Sequence, residues 1–304
     1  MQPLKGIALK LVSLSVFIAM ASLIKAASET VPPGQAVFFR SLFAIPVIVL
    51  VLGWQGNLRT GFRTKRPWAH LFRGVMGTTT MALGFAGLAR LPLPEVTAIG
   101  YAAPVLMVIF AALFLRETVR LVRLGAVALG LAGVMVVVWP RLSLLSEDPG
   151  SAAGIGAILV LTGAVTAALT QVYVRTLVRV EAAPTIVFYF SVTATLLSLL
   201  TAPFGWVWPG PQLMVMLVAA GVLGGIGQMC LTMAYQYADV SVVAPFEYSS
   251  ILLAIASGYF FFSEVPTLQT LLGAALVTLA GLLIVWREHQ LGLKRGQARA
   301  QMPR

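Results

Sequence analysis

Ten long apolar runs divide this sequence, and they constrain its fold more than any other feature. The hydrocarbon core of a bilayer is about 30 Å thick and needs about 20 apolar residues of helix. Each run is long enough to meet that need, and the loops between runs are short. The runs cover roughly residues 7–27, 35–54, 68–89, 94–115, 122–139, 154–174, 184–203, 212–235, 240–262 and 267–286.

These runs predict helices, because backbone polar groups in lipid must be hydrogen-bonded within their own segment. Membrane barrel strands would be about half as long and alternate in polarity. The composition agrees, since 59% of the residues are hydrophobic and 10% are charged, whereas about 25% are charged in soluble domains. We therefore predict an all-α, multi-pass integral protein of the inner (plasma) membrane with ten transmembrane helices.

The basic residues predict the orientation of these spans. With the N-terminus inside, sixteen of the 21 Lys and Arg residues fall in cytoplasmic segments, and three fall outside. Cytoplasmic loops retain positive charge, so both termini are predicted to be cytoplasmic. The basic tail, residues 289–304, is predicted to be flexible and to face lipid headgroups. The net charge of +11 thus reflects membrane topology, and no nucleic-acid partner is expected.

The two halves of the sequence resemble each other. Tyr101 aligns with Tyr248, and Glu117 with Glu264, at a common offset of 147 residues. The front of each half aligns at an offset of 150. Rare charged and aromatic residues match in a preserved order, which is typical of an internal repeat.

We predict a first repeat over residues 1–141 and a second over 152–288, each with five spans. Because five is odd, the second repeat enters the membrane in the opposite orientation. Inverted repeats are typical of secondary transporters. Two such halves have two related packings, one open to each side of the membrane, which predicts alternating access around a site between spans two, three, four, seven, eight and nine.

Several short motifs also carry a family resemblance. They are Phe38-Phe-Arg40-Ser, Leu71-Phe-Arg73, Ala98-Ile-Gly-Tyr-Ala-Ala-Pro104, Leu115-Arg-Glu117, Val243-Ala-Pro-Phe-Glu-Tyr248 and Phe262-Ser-Glu264. Over nearly its whole length the chain resembles the EamA-like branch of the drug/metabolite transporter superfamily. The subgroup it looks most like contains carriers of S-adenosylmethionine, riboflavin and amino-acid-derived metabolites. Ser263 replaces the glycine that is more usual before the last glutamate.

Four charged residues within or at the ends of spans are candidates for substrate contact or coupling. A charge inside the membrane costs about 2.5 kcal/mol or more unless it is paired or hydrated. Arg40 and Glu95 approach from the outer side and form one candidate ion pair, while Arg73 and Glu247 approach from the cytoplasmic side and form another. Glu247 is also a candidate proton or cation site, and its alternative role is to neutralise Arg73.

Other residues are candidates by their polarity or their backbone chemistry. Tyr101, Tyr189, Tyr248 and Gln228 have polar tips in apolar spans and would line a central cavity, with helix packing as the alternative role. The other candidates are structural or gating: Pro104 and Pro245 as sites where spans four and nine break or kink, and Glu95, Glu117 and Glu264 near helix ends.

The most favoured function is a secondary transporter of a small organic metabolite, such as an amino acid or derivative, an S-adenosylmethionine-like solute or a flavin. A channel and a non-transporting receptor or scaffold are the alternatives, and an intramembrane enzyme is least favoured. We predict no catalytic residues, metal or cofactor, because no nucleophile–base or metal-ligand spacing is present. Expected partners are the solute and the lipid bilayer, with proton or ion coupling as a candidate, and the chain would be a monomer or homodimer.

Overall fold

A computed structural model of the 304-residue chain describes residues 3–54, 56, 61–115, 121–148, 150–178, 180–238 and 244–300. Regular secondary structure in these ranges is entirely helical, which confirms the all-α prediction. The α-helices in chain order are α1 (Pro3–Ala27), α2 (Pro33–Leu42), α3 (Ala44–Trp54), α4 (Pro67–Leu88), α5 (Leu93–Gly100), α6 (Ala102–Leu115), α7 (Leu121–Glu147), α8 (Ala152–Leu177), α9 (Ala183–Leu199), α10 (Pro211–Tyr237), α11 (Ser250–Phe262) and α12 (Leu268–Ala300).

Several of these helices suit a bilayer. Large apolar side chains on them point outward, and Leu50, Leu196, Leu252 and Phe260 are between 62% and 78% exposed, as lipid-facing residues would be. Five described helical segments are long and apolar enough to cross a membrane: Leu4–Ala27, Pro33–Trp54, Gly125–Leu144, Ala152–Val174 and Pro211–Tyr237. Shorter apolar helices cover Leu93–Met107, Ala183–Leu199, Phe246–Phe262 and Leu268–Leu283. The number of crossings, ten, stays a prediction.

Two predicted spans are interrupted near a proline. A single residue, Phe43, separates α2 from α3, and Tyr101 separates α5 from α6. Pro46 and Pro104 each lie three residues further on. Proline has no N–H, so the carbonyl of the last residue of the preceding helix loses its helical donor. The missing N–H groups of Pro46 and Pro104 thus explain where the two helices are interrupted.

Predicted span nine contains a different irregularity. It has a 3-10 helix, Ala244–Ser249, with Pro245 as its second residue, directly before α11. Two helices extend beyond the ends of the spans predicted for them. Helix α7 continues through Pro140, past its predicted end at 139, because one missing hydrogen bond does not end a long helix. Helix α12 continues through 300 instead of ending in a flexible tail, since Leu, Lys, Arg, Gln and Ala favour helix.

Helices of the two predicted repeats pack against each other in a matched way. Helix α1 packs along α10, and α8, which takes the place of α1 in the second repeat, packs along α4; α2 packs on α9 and α7 on α12. A Cβ atom added at Gly6 would overlap Ala238, and one at Gly156 would overlap Arg90 and Leu91. Gly6 and Gly156 align at the offset of 150, so equivalent positions make equivalent close contacts. This pairing leaves a space among six helices at the centre.

Candidate functional site

A cavity of about 820 Å³ lies between α1, α2, α4, α8, α9 and α10. These helices are the first three predicted spans of each repeat. Predicted spans four and nine were also expected to line the site, but no described residue of either lines this cavity. The polar side chains in its wall are Arg40, Arg73, Thr80, Thr170, Gln171, Gln228, Thr232, Tyr235 and Gln236.

Two arginines share one aromatic ring in this wall. Arg40 comes from α2, Arg73 from α4 and Phe190 from α9. The guanidinium carbon Cζ of Arg73 lies 4.2 Å from the ring centroid of Phe190, and that of Arg40 lies 5.4 Å from the same centroid. A cation is attracted to the face of an aromatic ring. Phe190 therefore holds both positive groups at the cavity.

Neither arginine has an acidic partner among the described residues. Their side chains are buried, with 3% exposure for Arg40 and 7% for Arg73. The Nε and Nη1 atoms of both have no hydrogen-bond partner, and Nη2 of Arg40 donates to the carbonyl of Gly224 at 3.4 Å. Buried charge without compensation is costly. The two guanidinium groups therefore bring uncompensated positive charge to the wall of the cavity.

Glycines next to the arginines create the space for them. A Cβ atom added at Gly77 would overlap the Nη1 atom of Arg73 and lie 2.7 Å from the ring of Phe190. One added at Gly224 would lie 2.8 Å from Nε of Arg40. Gly77 and Gly224 align at the repeat offset of 147, so both halves use a small residue at the same point.

The two ends of the cavity differ. Gln236, near the C-terminal end of α10, is exposed, whereas Met20 on α1 and Phe85 on α4 are buried. Helices α1 and α10 run antiparallel, because Gly6 lies against Ala238 whereas Ser13 Oγ donates to the carbonyl of Gly227. The cavity therefore reaches solvent on the side where α1 begins and α10 ends, and stops near Met20 and Phe85.

An ion pair lies beyond the end of the cavity that is closed near Met20 and Phe85. Nζ of Lys25 on α1 is 2.9 Å from a carboxylate oxygen of Glu264, which follows α11. Lys25 also donates to the carbonyl of Leu91 at 2.8 Å, and Glu264 accepts from the backbone N–H of Leu93 at 2.9 Å. We call these four residues the closed-end cluster. It ties α1, the α4–α5 connection and the end of α11 together.

Glu95 does not pair with Arg40, so that expectation is wrong. Its carboxylate accepts a hydrogen bond from Nε of Arg141 at 2.9 Å and a second from Nη2 of the same guanidinium. Helix α7 extends past Pro140 and carries Arg141 to α5. Arg40 instead points into the cavity from α2.

Glu247 does not pair with Arg73, so the second expected pair is also wrong. Its carboxylate lies 3.3 Å from Nζ of Lys10 on α1. The side chain of Lys10 is 2% exposed and that of Glu247 is 26% exposed. Lys10 lies inside the first predicted span, so the cost of a charge in lipid would have identified it from sequence.

Of the predicted cavity-lining residues, Gln228 lines the cavity and the three tyrosines do not. Tyr101 and Tyr248 pack edge to face with ring centroids 5.1 Å apart, and Tyr101 Oη donates to the carbonyl of Tyr248 at 3.1 Å. Tyr189 packs on His70, and its hydroxyl donates to the carbonyl of Phe62 at 2.8 Å. All three tyrosines therefore join helices or loops together, which was their alternative role.

Two sequence candidates cannot be compared with the structure in full. Glu117 lies outside the described residues, and of Pro245 only the backbone is described. Within the described part of the chain no three His, Cys, Asp or Glu side chains are grouped as metal ligands would be.

Phe190 and Gln171 are two of the cavity-wall residues that sequence reasoning missed. Phe190 aligns with Arg40 at the offset of 150, so the repeat alignment would have identified Phe190 as the equivalent of a candidate residue. Gln171 is an amide in an otherwise apolar run, the same signal that identified Gln228.

Comparison with known proteins supports the relation of both halves to one family. The model of the EamA-like transporter family matches residues 4–139 and again residues 154–286. The solute carrier family 35 model matches residues 96–203.

Three relatives have names that state a transported solute. The pseudopaline exporter of Pseudomonas aeruginosa (strain PAO1) is 32% identical over 279 residues, 90% of this chain and 94% of the relative. The riboflavin transporter of Rhizobium johnstonii is 30% identical, over 84% and 82% of the two chains. The S-adenosylmethionine uptake transporter of Rickettsia felis is 25% identical, over 84% of each. A solved crystal structure is similar in fold, with a TM-score of 0.66 and 21% identity over 93% of this chain and 98% of that one.

Proposed function

Because this chain belongs to the EamA-like transporter family and is a multi-pass membrane protein, we propose that it carries a small organic metabolite across the inner (plasma) membrane by alternating access. The cavity among α1, α2, α4, α8, α9 and α10 is the proposed substrate site. The observation that carries the proposal is a cavity with two unpaired buried arginines that is closed at one end. A channel would need a path through to the other side.

The division into two inverted repeats, residues 1–141 and 152–288, belongs to this proposal. It is supported by the two separate family matches and by the matched pairing of α1 with α10 and of α8 with α4. With five spans in each repeat, the second lies inverted and both termini face the cytoplasm. The closed-end cluster then faces the outer side, and the cavity opens to the cytoplasm.

Counterflow in proteoliposomes tests the function directly. The purified chain is reconstituted, loaded with one unlabelled solute at a time and supplied with the labelled form outside. The panel contains amino acids, dicarboxylates, S-adenosylmethionine and riboflavin. A carrier exchanges at least one solute against itself without added energy, and the exchange saturates. Leakage of all small solutes alike would indicate a channel, and no exchange across the panel would reject the carrier function.

We expect Gly77→Ala to reduce transport at least about tenfold while the protein still folds, because overpacking costs about 1–3 kcal/mol and the new methyl group displaces Arg73 and the ring of Phe190. The measurement is the uptake rate per amount of protein in the membrane. Gly84→Ala is the matched control, since it lies on the same helix and its Cβ would meet nothing within 4 Å. Equal rates for the two variants would contradict a role of this wall in transport.

We expect Glu264→Gln to open the closed end more often. The Lys25–Glu264 pair has 15% exposure on each side chain, and a loss of about 1 kcal/mol would raise the population of the opposite state about fivefold. In a Cys230→Ser background, Met81→Cys at the cavity wall reports access through its labelling rate with a membrane-impermeant thiol reagent added from outside.

The control for this experiment is Glu29→Gln, which removes an exposed acid four residues after Lys25. Its labelling rate should equal that of the unaltered background. If Glu264→Gln also leaves the rate unchanged, the ion pair does not hold the outer end closed.

A further inference from the structure

The arginine pair in the cavity indicates the charge of the substrate. Arg40 and Arg73 come from different helices and face the same ring, so their Cζ atoms are at most about 10 Å apart, the sum of the two distances to its centroid. Each keeps two nitrogen atoms without a partner. None of the described residues lining the cavity is acidic.

The acids buried elsewhere do not compensate these charges. Glu95 is paired with Arg141, Glu247 with Lys10 and Glu264 with Lys25. In the low-dielectric interior two cations at this separation repel each other, and each has lost its hydration. An anion that contacts both guanidinium groups would offset their mutual repulsion and replace the hydration that each has lost.

We infer that the substrate is a small organic acid with two carboxylate groups, one bound by Arg40 and the other by Arg73. This inference rests on the proposed function and specifies its substrate class. Guanidinium groups bind carboxylates through charge-assisted hydrogen bonds, and both guanidinium groups line the cavity without an acidic partner among the described residues. Gln171 and Gln228 offer amides to uncharged polar groups of the same solute.

A single carboxylate would leave one cation uncompensated, and a solute with a positive group would find no acidic partner in the described wall. A neutral solute would leave both arginine charges uncompensated. The dicarboxylate class therefore fits the charges of the wall better than the positively charged or neutral solutes.

The test uses probe pairs that differ by one charge, namely glutarate against glutaramate and N-acetylglutamate against N-acetylglutamine. Each probe is offered to the full-length chain in counterflow, and its binding is measured by thermal stabilisation of the purified protein. We expect the diacid of at least one pair to exchange and to bind about tenfold more tightly than its amide partner.

Substitution then assigns the preference to the arginines. Arg40→Gln and Arg73→Gln are each expected to lower diacid affinity about tenfold and to bring the diacid-to-amide ratio close to one. Arg40→Lys and Arg73→Lys keep the charge and should keep part of the preference, which distinguishes binding from a loss of folding. The matched control is Arg90→Gln, because Arg90 is exposed and its Nη1 donates to the carbonyl of Ala86 on the preceding helix, α4.

The outcomes separate this inference from the proposed function. If S-adenosylmethionine or riboflavin exchanges and no diacid is preferred over its amide, the inference is rejected and the carrier function stands. If no probe exchanges but diacids still stabilise the protein in an arginine-dependent way, the binding site stands and the carrier function is rejected. If neither arginine variant changes the ratio, the arginines do not select the substrate.

Discussion

Glu247→Gln is expected to destabilise the protein by about 3–5 kcal/mol, because it leaves Lys10 charged, buried and without its carboxylate. Lys10→Met should cost less. Glu247 is 26% exposed and water can solvate it, whereas Lys10 at 2% exposure has no such access. The measurement is the free energy of unfolding, obtained by denaturant titration of the purified protein in detergent.

The double variant Lys10→Met/Glu247→Gln should recover most of the lost stability, since no uncompensated charge remains. Lys65→Met is the control, because Lys65 is an exposed lysine in the connection before α4, and it should unfold like the parent. Additive losses in the double variant would contradict a specific ion pair.

The same double variant tests whether Glu247 couples transport to protons. It removes the carboxylate without the folding penalty, so its uptake can be measured across pH. Proton coupling at Glu247 predicts that the pH dependence of the parent disappears. An unchanged pH dependence would reject Glu247 as the proton site and leave it as the charge partner of Lys10.

Gly281→Ala is the second substitution with a large expected effect. A Cβ atom at Gly281 on α12 would overlap the hydroxyl oxygen and the Cζ atom of Tyr248. That ring is 6% exposed and confined by Tyr101, whose centroid is 5.1 Å away. Relief therefore requires movement of the 3-10 helix or of α12, at a cost of about 1–3 kcal/mol or more.

The sign of the effect distinguishes this contact from ordinary helix propensity. Alanine favours helix over glycine by up to about 1 kcal/mol, so Gly84→Ala, in open space on α4, should be neutral or slightly stabilising. Combining Gly281→Ala with Tyr248→Leu should restore part of the lost stability by removing the ring. A stable Gly281→Ala single variant would mean that α12 does not pack on Tyr248 this closely.

The sequence predicted the helical class and several local features well. Apolar runs require helices in lipid, and prolines remove specific hydrogen bonds, so the interruption at Tyr101 before Pro104 follows from chemistry within four residues. The end of α7 was not predictable in this way. A proline in the middle of a long helix does not necessarily end it. The structure shows that the part of α7 after Pro140 carries Arg141 to its ion pair with Glu95.

The candidate charges were also partly predictable. The energetic cost of a buried charge selected Arg40 and Arg73, and both line the cavity. The same argument could not choose partners, because charge and depth are similar for several combinations of acid and base. Lys10, rather than Arg73, lies beside Glu247 because α1 packs along α10 and contacts the 3-10 helix.

The sequence by itself therefore determined that this chain is an all-helical membrane protein with related halves and costly charges in its spans, since these properties follow from composition, periodicity and local backbone chemistry. Only the tertiary structure decided which charges neutralise one another and which remain free. Side-chain pairing depends on helix contacts between residues more than 200 positions apart, such as Lys10 and Glu247. Those contacts left Arg40 and Arg73 together on Phe190 without a counter-charge among the described residues.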